Sequence, residues 1–397
     1  MNRAERPVAK LDFVNLVAGF GGVASSVPAQ PMNAALVAEG ALRVGDAVMV
    51  CTRALVDETL RNPGVFSSED VVEQGNTLPL IPLAIDPPDH LTYRRILDPL
   101  FAPRQIHTLE TDITMRVNHF LDSFIDRGSC DFTAEFAQLF PSSVFLGMMG
   151  LPWDELDTFV ELRDGLLRPG DSTSAPEERS AIQRDTAQRV YAYFDAILDQ
   201  RAAEPRDDIL SLFVGLEGEG RLRRDEILGT CFVLLTAGLD TVTASLTCFF
   251  AFLAQHPEHR RRIVDDPEVI PGAVEELLRW ETPVPSVIRW AREDATLGGE
   301  VVEAGHHVMV NLGAANLDPA EFSDPLEVRF DRAVNRHLAF GGGVHRCLGS
   351  HLARTELRIA LREWHRRIPE YSLAPGYEVT YLPPLRYVPD LQLTWST

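Results

Sequence analysis

Residues Phe340-Gly341-Gly342-Gly343-Val344-His345-Arg346-Cys347-Leu348-Gly349 set one cysteine in a glycine-rich loop that runs into a segment with helical spacing. Residues without a Cβ let the backbone turn through φ > 0 or lie close against a bulky planar group. A sulfur at the mouth of the following helix faces unpaired N–H groups and the positive end of the helix dipole. Both lower a thiol pKa, so the stretch predicts a thiolate placed to bind a metal. Zinc does not suit it, because His345 and Cys347 have no second ligand pair at the usual spacing. A cysteine alone beside a flexible turn would read as a buried free thiol.

The full pattern, Phe340-x-x-Gly343-x-His345-x-Cys347-x-Gly349, resembles the haem-binding signature of the cytochrome P-450 superfamily. The resemblance implies a mainly α fold with small β-sheets, in which haem b lies between a long central helix and the cysteine loop with its helix. Cys347 is then the axial ligand of the haem iron, and Phe340, Gly341 and Gly349 line the cofactor on that side. A thiolate in this position pushes electron density toward iron and favours O–O cleavage.

The central helix is read from Cys231 to Ala254, 24 residues with a single charge. That is long enough to span a bilayer. Asp240, Gly238 and several threonines speak instead for a core helix buried on all sides. Within it, Ala237-Gly238-Leu239-Asp240-Thr241 resembles the oxygen-activation motif of the same superfamily. The implied roles are a glycine that loosens the helix beside Ala237, a Thr241 hydroxyl that stabilises bound dioxygen, and an Asp240 that feeds protons to it. Taken alone, the pair reads as a threonine bonded back to a carbonyl and an acid with a core partner.

Haem propionates need cations, arginine forks above all. The family pattern places them at His90, Arg94, Arg289 and His345. Asp86-Pro87-Pro88 predicts an N-cap and first turn for the helix carrying His90 and Arg94, four apart and so on one face. Glu276 and Arg279 form a pair that is structural in the family, with His337 as the expected third partner and Arg332 and Arg336 as rivals. After the cysteine, Leu348 opens a helix whose Arg354, Arg358 and Arg362 either steer an acidic electron donor or form a solvated face.

The 397 residues are 45% hydrophobic and 24% charged, as in an ordinary globular protein, and are expected to form one haem domain over 1–397 with a helix-rich core and a smaller β-rich N-terminal part. A formal charge of −21 without a basic run excludes nucleic acid as a partner. Five scattered cysteines fit a reducing cytoplasm. No signal-peptide order or apolar membrane anchor is visible at the N-terminus, so a cytoplasmic protein of bacterial type is expected.

Strand-like alternation occurs at 45–51, 296–302, 307–312 and 391–395. The segment 168–176 reads as a loop between two helices and a mobile lid. Gly19-Phe20-Gly21-Gly22-Val23-Ala24 matches a loose dinucleotide pattern, but Pro28 and Pro31 break the helix that should follow. No flavin or nicotinamide site is therefore expected, and electrons come from a ferredoxin-type donor with its reductase.

Gly238 to Val242, Pro257 to Arg260 and Arg367 to Pro375 look like the bacterial camphor-hydroxylating group. Leu78-Pro79-Leu80 departs from it where that group has a polar contact, so a different substrate is expected. Pocket walls are assigned to Leu78, Leu80, Val233, Val284, Val287 and Leu385, whose apolar character implies a terpenoid, steroid, fatty acid or aromatic substrate. The implied activity is hydroxylation or epoxidation with O2. A peroxide-using haem-thiolate enzyme and a non-catalytic haem sensor or carrier are the alternatives.

Overall fold

The longest apolar run of the chain becomes its longest helix, Arg224–Gln255. The computed structural model describes residues 25–69, 74–171, 173 and 175–397. The Gly19 to Ala24 pattern lies outside them. At the helix start the Glu226 carboxylate accepts from the Arg223 backbone N–H at 2.8 Å, and Pro257 opens the next helix just past its end. The helix is apolar and long enough to cross a membrane, yet 83% of its most apolar window is buried inside the protein. Its hydroxyls are satisfied locally: Thr230, Thr236 and Thr243 donate to the carbonyls of Glu226, Phe232 and Leu239, one turn back.

Six helices pack around this one: Leu139–Met149, Leu156–Leu167, Pro176–Ala203, Pro257–Asp265, Ile270–Glu281 and Ser350–Arg367. Aromatic rings fill the junction, with Phe132 stacked on Phe250 at 4.3 Å and Trp364 edge-on to both. The expectation of burial on all sides fails at one place. Ala237 and Gly238 are exposed and Thr241 is half-buried, on a helix otherwise closed through its middle. The backbone stays α-helical through Gly238, so the glycine does not break it.

Ten strands occur among the described residues: β1 (Ala41–Val44), β2 (Ala47–Val50), β3 (Phe66–Ser67), β4 (Ser129–Asp131), β5 (Ser286–Ala291), β6 (Ala295–Leu297), β7 (Glu300–Val302), β8 (His307–Asn311), β9 (Ser372–Leu373) and β10 (Gln392–Thr394). The main sheet runs β1-β2-β8-β5-β3 and so joins N-terminal strands to two from the second half of the chain. Val48 pairs with Val308 in parallel, and Val287 with Val310 antiparallel. The single strand expected at 296–302 is a hairpin, turned by Gly298 and Gly299 at φ +57° and +93°.

Three local expectations are corrected. Pro31 does not break a helix but sits in the first turn of one, Gln30–Glu39, where its missing N–H costs nothing. Pro88, not Asp86, occupies the cap position of the helix Asp89–Leu97, because the Asp86 side chain is engaged elsewhere. The helix after the cysteine begins at Ser350 rather than Leu348.

Candidate active site

Two backbone bonds shape the cysteine loop: Cys347 N–H to the Phe340 carbonyl at 2.9 Å, and Gly341 N–H to the Leu338 carbonyl at 2.8 Å. Gly343 must be glycine, since its φ is +64° and a Cβ there would stand 2.1 Å from the Leu60 carbonyl oxygen. Gly349 differs, for a Cβ at that position meets no protein atom within 4 Å. The loop rests on Phe340, whose ring lies 4.3 Å beneath the Arg354 guanidinium. Glu275 grips Arg354 at 2.7 and 2.8 Å and His337 at 3.0 Å.

Cys347 is the exposed cysteine; Cys51, Cys130, Cys231 and Cys248 are buried, and all five are free. The expected low pKa does not hold for the protein alone. Cys347 lies in a recess closely walled by protein, and desolvation raises its thiol pKa despite the Gly349 N–H and the nearby Arg94, Arg346 and Arg354. A metal cation at the sulfur would draw it back toward the thiolate.

The four expected propionate partners fall in one neighbourhood. The rings of His90 and His345 are 4.3 Å apart, and Arg94 donates to the Arg346 carbonyl at 2.9 Å while pairing with Asp98 at 2.7 Å. Both ring nitrogens of buried His90 lack a partner, as does His345 Nε2. Burial, with His345 and Arg94 adding to it, pulls the His90 pKa down to about 4. Arg289 is buried with one hydrogen bond, to its own neighbour Ile288 at 2.6 Å, and burial draws its pKa down to about 10.

Asp86, absent from the sequence-based site, is the anion at the centre of this group. It accepts from Ser67 at 2.5 Å, Ser68 N–H at 3.1 Å and Arg292 at 2.8 Å, and lies 3.5 Å from His345 Nε2. Burial favours its neutral acid, but His345, Ser67, Ser68 and Arg292 together outweigh that and hold it below the ordinary carboxylate range. Its adjacency to Pro87-Pro88 drew attention to a capping role instead.

On the central helix, the Thr241 hydroxyl donates to the Ala237 carbonyl at 3.0 Å. Asp240 is buried and ion-paired with Arg168 of the loop that follows the helix Leu156–Leu167. Arg168 lies 4.6 Å over the Tyr387 ring. No sequence pattern tied Arg168 to Asp240, since the partners come from unrelated segments. A Cβ on Gly238 would make only an ordinary contact, 3.6 Å to Phe145, so packing does not demand a glycine.

The Glu276–Arg279 pair is buried, and its third partner is Arg332, at 3.1 Å, rather than His337. His337 is taken by Glu275. Of the expected pocket residues, Leu80 and Val233 are buried in the main core and Val287 packs against a second apolar cluster. Leu78, Val284 and Leu385 are half-buried.

Gly341 and Gly349 lack side chains where no protein atom waits, the only exposed cysteine adjoins them, both ring nitrogens of nearby His90 lack a partner, and Arg289 reaches only the carbonyl of its own neighbour. A flat, dianionic iron macrocycle fits that donor set.

A sequence profile described as Cytochrome P450 matches residues 172–366. The mycinamicin IV hydroxylase/epoxidase of Micromonospora griseorubida is 35% identical over 79% of this chain and 75% of its own length. A probable cytochrome P450 of Sinorhizobium fredii is 35% identical over 89% and 85%. The crystal structure of a Bacillus megaterium protein in complex with testosterone superposes with a TM-score of 0.86 at 26% identity, covering 93% of this chain and 98% of that one.

Proposed function

This chain belongs to the cytochrome P450 family of monooxygenases, and from that premise we propose that it is a single haem domain inserting one oxygen atom into a mid-sized hydrophobic molecule. The cofactor is haem b. The observation that carries this reading is buried His90, whose two ring nitrogens have no partner, packed on His345 in the neighbourhood of Arg94 and of the one exposed thiol. A buried ring with both nitrogens unpartnered has room for a partner supplied by a ligand.

Haem supplies the binding and reductive splitting of dioxygen, one atom going to the substrate and the other to water. Cys347 Sγ would hold the iron, and Arg94, Arg289, His90 and His345 would hold the two propionates. Ala237 and Gly238 keep one side of the central helix free of bulk. Thr241 Oγ1, which donates to the Ala237 carbonyl, would be the hydroxyl able to deliver a proton on the open side of the helix. Asp240, paired with Arg168, would return a proton to that hydroxyl only after leaving the arginine and taking one from water.

The apolar, half-buried Leu78, Val284 and Leu385 support a substrate such as a terpenoid, steroid, fatty acid or aromatic. The macrolide-modifying relative and the testosterone-bound neighbour support the larger members of that range. Electrons come from a ferredoxin-type donor with its reductase. Arg346, next to the cysteine, and Arg358, on the helix that follows it, support this: neither forms an ion pair among the described residues, in a chain of charge −21, whereas Arg354 and Arg362 of the expected set are taken by Glu275 and Glu363. An acidic donor is steered to such a patch. Five thiols without a disulfide support a cytoplasmic setting.

The test begins with purified, haem-loaded protein, reduced under carbon monoxide. A Soret band in the position that a thiolate ligand gives is expected, and its absence sinks the reading. Hydrophobic compounds that shift the spin state are then turned over with a ferredoxin system under labelled dioxygen, with one labelled atom expected in the product.

A further inference from the structure

The turn near the C-terminus is built on a buried arginine. Leu382 and Tyr387 exchange backbone bonds at 2.9 and 3.4 Å, closing a turn whose tip is Pro383, Pro384 and Leu385. Arg386, at its base, is held at three points. Its N–H donates to the Pro283 carbonyl at 2.9 Å, its carbonyl accepts from the Cys248 thiol at 3.0 Å, and its guanidinium pairs with Glu281 at 2.8 Å. The guanidinium also lies 3.5 Å over the Tyr381 ring. Beyond it, Val388 N–H donates to Thr247 Oγ1 of the central helix at 3.1 Å.

The Glu281 side chain is 2% exposed and that of Arg386 is 10%. A buried ion pair adds little net stability over an apolar isostere, because desolvation offsets the attraction, but it fixes geometry. The geometry fixed here is specific. The Arg386–Pro283 bond brings residue 385 beside residue 284, a hundred positions away in the chain, and both Leu385 and Val284 are half-buried and apolar. Neither residue has a hydrogen bond of its own among the described residues, so the backbone bond to Pro283 and the ion pair beneath them set their place together.

We propose that Arg386, locked by Glu281, is a specificity-determining positioning residue: it sets Leu385 against Val284 as one apolar wall and thereby decides how hydrophobic ligands lie in the pocket. This rests on the reading of the site as an oxygenase pocket. It adds to it two residues that touch neither iron nor oxygen. An arginine-for-lysine exchange would not be equivalent, since a point charge cannot both pair with Glu281 and lie flat on Tyr381.

The test compares two iron-binding probes, imidazole and 4-phenylimidazole, titrated spectrally into haem-loaded protein. Imidazole carries no apolar group to meet such a wall, whereas the phenyl ring of the second probe does. In Arg386→Met the ratio of the two affinities is expected to change about tenfold, the order that one misplaced apolar contact is worth. Imidazole affinity and the carbon-monoxide band should stay as in the parent. Should Arg386→Met not fold, the Glu281→Gln/Arg386→Met double variant leaves no buried charge unpaired and is expected to give the same shift. An unmoved ratio in a folded variant, even with a lowered melting temperature, makes the pair merely structural and overturns the proposal alone. A parent protein without the thiolate band overturns the oxygenase reading, and this inference with it.

Discussion

Arg279 and Arg289 are both buried, ten residues apart in the chain, and differ in how completely they are bonded. Arg279 spends all five of its donors: two on Glu276 at 2.8 and 2.9 Å, and three on the carbonyls of Asn316, Pro325 and Glu327. Glu276 in turn accepts from Arg332, Asn335 and the Arg329 N–H. Arg289 reaches one carbonyl, that of its neighbour. The first arginine belongs to a finished scaffold. The second, with His90 and His345 near it, is on the proposed reading a half-made binding site whose other half is a ligand. Unsatisfied buried polar groups are rare enough that their clustering marks function.

The sharpest way to break this comparison is to remove the carboxylate from the finished side. Glu276→Gln leaves Arg279 and Arg332 buried without a counter-charge and is expected to cost about 3–5 kcal/mol of folding stability. Urea unfolding of haem-free protein measures it. A cost below about 1 kcal/mol would mean that the network is ornamental.

Arg289→Met tests the other side, and the expected sign is opposite. In haem-free protein it removes a buried charge with no counter-ion in hydrogen-bond reach, so stability should hold or rise by about 1 kcal/mol. In loaded protein the lost propionate bond, worth about 1.5–3 kcal/mol, should speed haem transfer to a scavenger protein tenfold or more. If Arg289→Met instead destabilises the haem-free chain as Glu276→Gln does, the two arginines are alike and the distinction fails.

How much of this could be read in the sequence follows the same division. The family was legible in the cysteine loop and the Ala237 to Thr241 stretch, and the four expected propionate partners do fall in one neighbourhood, because a ligand of fixed shape and charge demands fixed residue types at fixed spacing. The long core helix was legible from its apolar run. What escaped notice were partners whose choice depends on packing: Arg168 on Asp240, Asp86 among the cations, and Arg332 in preference to His337. Any carboxylate near an arginine satisfies the chemistry, so spacing carries no trace of which one was used. The Cys347 pKa was misjudged for a related reason. The loop's dipole and glycines are visible in the sequence, whereas the protein walls that desolvate the sulfur are not.

Acid titration sharpens the comparison with two histidines. Burial lowers both His90 and His365 from 6.5 to about 4. Between those values the unfolded chain binds more protons, so each histidine removes stability as pH falls from 6.5 toward 4 and nothing above it, on the order of 1–3 kcal/mol apiece. His365 is scaffold, bonded to the Leu361 carbonyl at 2.7 Å, and His365→Gln should flatten this acid slope equally with and without haem. His90 is site. A propionate beside it would lift its pKa back toward the ordinary value, so His90→Gln should flatten the slope only in the haem-free protein. Melting temperatures of the four samples across that pH window decide it, and equal behaviour of the two variants would place His90 in the scaffold.

The smallest effect on stability is expected where the two regions meet, at neighbouring positions of one helix. Asp240 is buried on Arg168, which also pairs with Asp164 at 3.4 Å, so Asp240→Asn removes one of two anions from that arginine and should destabilise, by less than Glu276→Gln does. Thr241 is half-buried and spends its hydroxyl on the Ala237 carbonyl, a bond that adds little to a helix. Thr241→Val keeps the shape and should leave folding stability within about 0.5 kcal/mol of the parent. Its consequence belongs to chemistry: with no hydroxyl to lend a proton, reductant consumed per product formed should rise several-fold, the excess appearing as hydrogen peroxide. Parent-like coupling in Thr241→Val would return that hydroxyl to the helix as a back-bonding group, and the functional side of the comparison would then end at the cysteine loop and its cations.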